Sequence, residues 1–165
     1  MQFQRSISQF SKEIRLLITA FVITLNIGFF TGLNFIEETS SFRPDGIETN
    51  YLGNENNENA EIMQFKKTEK NILTVVHNHI LSMSIIFLLL GVLLSFTSIN
   101  KKLMRVLIIE PFISIILTFG GIYVLWTGVL WFKYIIMISG MALTISLLFS
   151  SFFILKESVF SIKST

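Results

Sequence analysis

Four long apolar runs, separated by short polar stretches, dominate this chain. They occupy residues 16–35, 72–96, 106–130 and 134–155, and each reaches the roughly 20 residues that a helix needs to cross a hydrocarbon core. Inside them only His77, His79 and Glu110 are ionisable. The runs show no alternation of the barrel kind, and an open strand in lipid would leave its backbone groups unpaired, so they are read as helices. The expected fold is all-α, an integral membrane four-helix bundle. An amphipathic segment 1–15 precedes it, one long connection 36–71 interrupts it, and a tail 156–165 follows it.

Composition agrees with this pattern and charge adds a direction. The chain is 52% hydrophobic and 15% charged, holds 17 Phe among 165 residues, and has a mean hydropathy of +0.66, far from the usage of a soluble domain. One side of the spans carries eight cations (Arg5, Lys12, Arg15, Lys101, Lys102, Arg105, Lys156, Lys163) and the other carries five (Arg43, Lys66, Lys67, Lys70, Lys133). The positive-inside tendency then puts both termini in the cytoplasm and loop 36–71 outside the cell (inner) membrane. Trp126, Trp131 and Tyr134 gather around the third connection, where an interfacial aromatic belt is expected.

Before the first span, Phe3, Ile7, Phe10 and Ile14 recur at helical spacing, which suits a segment lying on the inner leaflet or a frayed extension of the first helix. That span is longer than a signal-peptide core and ends without a small-x-small cleavage site, so it is expected to be retained. The long connection is acidic, with Glu37, Glu38, Asp45, Glu48, Glu55, Glu58, Glu61 and Glu69, and its Asn-rich middle from Gly53 to Asn59 reads as flexible. Pro44-Asp45-Gly46 signals a turn; Phe42, Ile47, Tyr51 and Leu52 are expected to cover the bundle mouth as a lid. The carboxylates lack EF-hand spacing, and a chain without Cys offers no disulfide, thiolate metal site or c-type haem attachment.

Helices in lipid approach one another through small residues, and each span has a stripe of them. Gly28 and Gly32 form a GxxxG beside Ala20, Thr24 and Thr31; the second span has Ser84, Gly91 and Ser95; the third Ser114, Thr118, Gly121 and Gly128; the fourth Ser139, Ser146 and Ser150. Four stripes fit a compact bundle and leave room for a homodimer or for other membrane subunits.

Ionisable groups at membrane depth are functional candidates. Residues two apart on a helix point about 200° from each other, so His77 and His79 cannot share a face. His77 aligns with Ser84, Gly91 and Ser95 and is expected to face the interior; His79 aligns with Met83, Ile86, Leu90 and Leu93 and is expected to face lipid. An inward imidazole suits haem iron, with a second ligand from a partner chain or Met137. His77 with Glu37 and Glu38 suits a metal ion, and a hydrogen bond from His77 to a neighbouring hydroxyl or carbonyl is the plainer alternative. Asn26 is a lone polar step in the first span. Glu110, followed by Pro111 in an early helical turn, is expected to pair with Arg105 or Lys102 at the interface.

Pro44-Asp45-Gly46-Ile47, Tyr51-Leu52-Gly53-Asn54-Glu55 and His77-Asn78-His79-Ile80 together resemble a group of small four-span bacterial membrane proteins, over roughly residues 32–91. The resemblance implies that the loop and His77 belong to one shared feature, and the Asn-rich stretch from Asn54 to Asn59 departs from it. Two functions are expected from the chain: a subunit holding haem, a metal or a small ligand around His77, or a non-catalytic accessory or assembly subunit of a larger membrane complex. No nucleophile-base pair, phosphate loop or metalloprotease motif points to an enzyme, and four spans without an inverted repeat do not suggest a transporter. The expected partners are the lipid bilayer and membrane subunits, not nucleic acid.

Overall fold

The computed structural model describes residues 6–55 and 62–160, so Phe3 and residues 56–59 lie outside it, and of the stretch Gly53 to Asn59 that was expected to be flexible, Asn54 and Glu55 are held by hydrogen bonds. The elements run in order: a 3₁₀ turn Ile7–Gln9, α1 Lys12–Ser40, α2 Pro44–Leu52, α3 Glu69–Leu94, α4 Lys101–Ile115, a π turn Ile116–Gly120, α5 Gly121–Trp126 and α6 Phe132–Phe160. Four helical stretches are long and apolar enough to span a membrane: α1, α3, the continuous Lys101–Trp126, and α6. Their starts are set locally, because Ser11, Thr68 and Asn100 accept first-turn N–H groups that the helix leaves unpaired. Pro44 opens α2, where its missing N–H costs nothing.

Helix α6 is the hub and touches every other helical element. Its Leu143, Leu147 and Ile154 interlock with Ile18 and Val22 of α1, Phe87, Leu90 and Leu94 of α3, and Leu107 and Ile115 of α4. A second cluster fills the other end, where Ile47 of α2 meets Ile72, Ile122, Leu125 and Ile136. The hub is also polar on its buried side. Ser139 shares a hydrogen with Thr118 at 2.7 Å, Ser151 accepts from Asn26 at 2.9 Å, and Ser158 accepts from Thr19 at 3.0 Å. Hydroxyls that bond across helices satisfy themselves where no water is present and fix the register of two neighbours, α1 and the third span, against one helix.

The segment before α1 and the end of α6 meet at one end of the bundle. Arg15 is buried and donates through Nε to the Ser158 carbonyl at 3.2 Å, capping an orphan carbonyl at the end of α6 with a cation. The segment before α1 is tucked under the bundle rather than running along a leaflet. Ile7 is fully buried, its N–H donates to the Phe96 carbonyl at 3.0 Å, and Phe10 packs edge-on to Phe96.

Three features depart from the sequence reading. The 36–71 connection is largely built, since α1 continues to Ser40 and α2 lies within it. Pro111 stands in the interior of α4, because that helix starts at Lys101 and not near residue 106. The third span carries a π turn just beyond it, which re-aims Thr118 and Phe119 relative to a regular helix.

Candidate functional site

Both histidines are exposed, so His79 comes out as the helical wheel expects and His77 does not. The buried side of α3 runs through Ile72, Phe87, Leu90 and Leu94, and His79 borders this line, whereas His77 is turned about a quarter turn away. His77 is exposed and makes no hydrogen bond among the described residues. The His79 ring stacks on Phe119 of the π turn, centroids 4.7 Å apart. Its Nδ1 lies 2.8 Å from the Val75 carbonyl, which can only accept, so Nδ1 carries the hydrogen and Nε2 is the unengaged nitrogen. The outward facing of His77 has a plain cause. Both faces of a membrane helix are apolar, so the large side chains that look fit for lipid are also those that fill the core.

The proposed ligands do not gather. Glu37 and Glu38 are exposed on the last turns of α1, and no three His, Asp or Glu side chains come together among the described residues. Met137 packs in the loop-end cluster around Ile136, and Met83 packs against the main core. The small residues divide as well. Ser114, Thr118 and Gly121 are buried, and a Cβ on Gly121 would lie 3.0 Å from Ile136. Gly91 is in ordinary contact range of Ile108; Ser84 and Ser95 are half-buried. A Cβ on Gly28 or Gly32 would meet nothing, and Gly128 sits at φ 108° in the turn before α6.

Glu110 has no cation within ion-pair distance among the described residues, since the ion pairs there involve Lys133. The expected pairing with Arg105 or Lys102 is replaced by two hydroxyls, Ser114 on its own helix and Ser146 on α6, each donating to one carboxylate oxygen. Asn26 bonds the Val22 carbonyl at 2.7 Å as well as Ser151.

The loop shows what its motifs do. Gly46 lies so close to the end of α1 that a Cβ would stand 2.0 Å from the Ser40 carbonyl oxygen. Ile47 enters the core, while Asp45 and Glu48 both reach Lys133 at 2.7 Å. Tyr51 and Leu52 pack on the same cluster; Phe42, the fourth expected lid residue, is exposed. At φ 79°, Gly53 lets the chain turn against Gln64 and Lys66 with no room for a side chain. Asn54 then clamps the returning strand of loop, accepting from Gln64 N–H at 2.6 Å and donating to the Ile62 carbonyl at 3.0 Å. Trp126 Nε1 donates to the Lys67 carbonyl at 2.8 Å with the Lys66 ammonium over its ring. The hydrogen bond from Lys133 holds the Asp45 carboxyl below its ordinary value, and burial pushes the Tyr51 phenol up to about 12. None of these long-range partners was visible in the sequence, although Pro-Asp-Gly and the isolated Lys133 were the available signals.

Four apolar helices among the described residues, three of them around the serine-lined α6, capped by a folded loop, define a multi-pass membrane protein. Residues 41–165 match the Aq_1264_TM family, described as a transmembrane helical domain, and the chain belongs to it. The match begins just after α1 ends. No curated protein and no solved structure matches the chain.

Proposed function

We propose that this protein is a non-catalytic accessory subunit of the cell (inner) membrane, with both termini in the cytoplasm, that docks through α1 onto one transmembrane helix of another membrane protein. The observation carrying this reading is the open face of α1. Ala20, Thr24, Gly28 and Gly32 recur every fourth residue and are all exposed. A helix crossing at about −40° would seat on the two glycines. Because α1 lies outside the matched residues, the docking element is distinct from what the family shares.

The test is affinity purification of the full chain after cross-linking in its native membrane. A co-purifying membrane protein that is lost in the Gly28→Leu/Gly32→Leu double variant, and retained in His77→Ala, supports the reading. A chain cross-linked only to its own copies replaces the occupant with a second copy, and a chain that is never cross-linked overturns the proposal. A second reading rests on the free His77 imidazole, which is available to hold haem or a metal jointly with a partner. A visible absorption band lost in His77→Ala would favour it.

A further inference from the structure

Between Arg15 and Glu37, Lys70 and Lys101, and Lys133 and Lys156, the sequence has no Lys, Arg, Asp or Glu, and between Arg105 and Lys133 it has only Glu110. This carboxylate is also deep. It reaches Ser146 on α6, which stands about 21 Å along that helix from Phe132 and about 20 Å from Val159, close to the middle of a roughly 30 Å hydrocarbon core. Ser114 and Ser146 are both buried. Lys102 and Arg105 are exposed toward the start of α4, α6 offers no charge near Ser146, and α3 offers only His79, whose ring is turned onto Phe119.

Two hydroxyl donors lower the energy of a carboxylate without neutralising it, and an uncompensated charge at mid-membrane is expensive. Pro111 adds a further oxygen on the same turn of helix, because without an N–H it leaves the Leu107 carbonyl without its usual donor. One negative charge surrounded by hydroxyl and carbonyl oxygens calls for one small, hard, singly charged cation. A multivalent ion would need more carboxylates, and no group of three acidic or imidazole side chains forms among the described residues.

We propose that Glu110, Ser114 and Ser146 form a mid-membrane site for one monovalent cation, either a proton or Na⁺. The site is independent of the α1 face, so docking and cation binding fail separately. The test uses the full chain in lipid nanodiscs at neutral pH, with infrared difference spectra between the wild type and Glu110→Gln in choline chloride and in sodium chloride. A protonated-carboxyl band in choline identifies the proton form, and a carboxylate band that moves when sodium replaces choline identifies Na⁺. A carboxylate band identical in the two salts overturns the site.

Dicyclohexylcarbodiimide supplies a second readout should Glu110→Gln not fold. The carboxyl oxygen adds to the carbodiimide carbon, its proton passes to nitrogen, and rearrangement leaves an N-acylurea that mass spectrometry places on the chain. Glu110 is expected to be labelled in choline. Ser146→Ala, which removes one donor, is expected to change the labelling rate by about tenfold. Absence of label on Glu110 together with a carboxylate band that ignores sodium, or a labelling rate that ignores Ser146→Ala, also overturns the proposal.

Discussion

Helices α1 and α6 have the same length and nearly the same apolar content, yet they do opposite things. In the central window of α6, 39% of residues are buried inside the chain; in that of α1 the share is 11%. Apolar character selects the membrane and does not choose between neighbour and lipid, because both are apolar. What separates the two helices is where hydroxyls find partners. Ser139, Ser146, Ser151 and Ser158 of α6 each bond another helix, while Thr31 and Thr39 of α1 bond only their own backbone. The hub bonds its neighbours along most of its length, whereas α1 does so only through Arg15, Thr19 and Asn26 in its first half.

The widest separation is expected from equivalent truncations on the two helices. Leu147 is fully buried and Ile27 is 64% exposed. Leu147→Ala should lower the unfolding free energy by about 2–5 kcal/mol through lost contacts and a residual cavity. Ile27→Ala should change it by less than about 0.5 kcal/mol, as surface substitutions do. Reversible unfolding in mixed micelles measures both. Equal losses would mean that α1 packs as tightly as α6, and the comparison would collapse.

A smaller and sharper contrast comes from glycine. Gly121 lies against Ile136 and Phe132, whereas Gly32 borders open space. Gly121→Leu should cost about 1–3 kcal/mol by overpacking. Gly32→Leu should leave the isolated chain unchanged or slightly firmer, since Leu favours helix over Gly by about 1 kcal/mol or less. A large loss in the isolated Gly32→Leu chain would place that glycine in an internal contact.

These contrasts mark how far the sequence could be read. Span number, helix type and the lid character of Ile47, Tyr51 and Leu52 follow from local signals: run length, turn residues, and apolar residues next to a polar loop. The facing of His77 did not follow, because the small-residue stripe of Ser84 and Gly91 is only half-buried and the large-residue stripe holds the core. Glu110 was given the wrong partners for a related reason, since Ser146 lies 36 positions away in sequence. Contacts between distant residues, Lys133 with Asp45 and Arg15 with Ser158 among them, carry no local pattern from which they could be inferred.

Helix α2 joins the two regions, since Gly46 abuts the end of α1 and Asp45 reaches Lys133 at the start of α6, and its attachment gives the smallest expected effect. Asp45 titrates in the folded chain below its ordinary 3.8 because Lys133 donates to it. A depressed carboxyl contributes stability that is fully present above the ordinary value and is lost as pH falls through the lower, folded-state value. Asp45 is exposed, and Glu48 remains on the same ammonium, so the loss should loosen α2 without unfolding the bundle. Pepsin is active in that window and can report it through cleavage beside Tyr51 and Leu52. In the wild type this cleavage should rise only as the pH drops below Asp45's ordinary 3.8. In Asp45→Asn, which lacks the charge throughout, it should already be raised at about pH 5 and depend less on further acid. Identical pH profiles for the two chains would show that apolar packing of Ile47 alone holds α2, and that the ion pair contributes nothing to joining α1 to the hub.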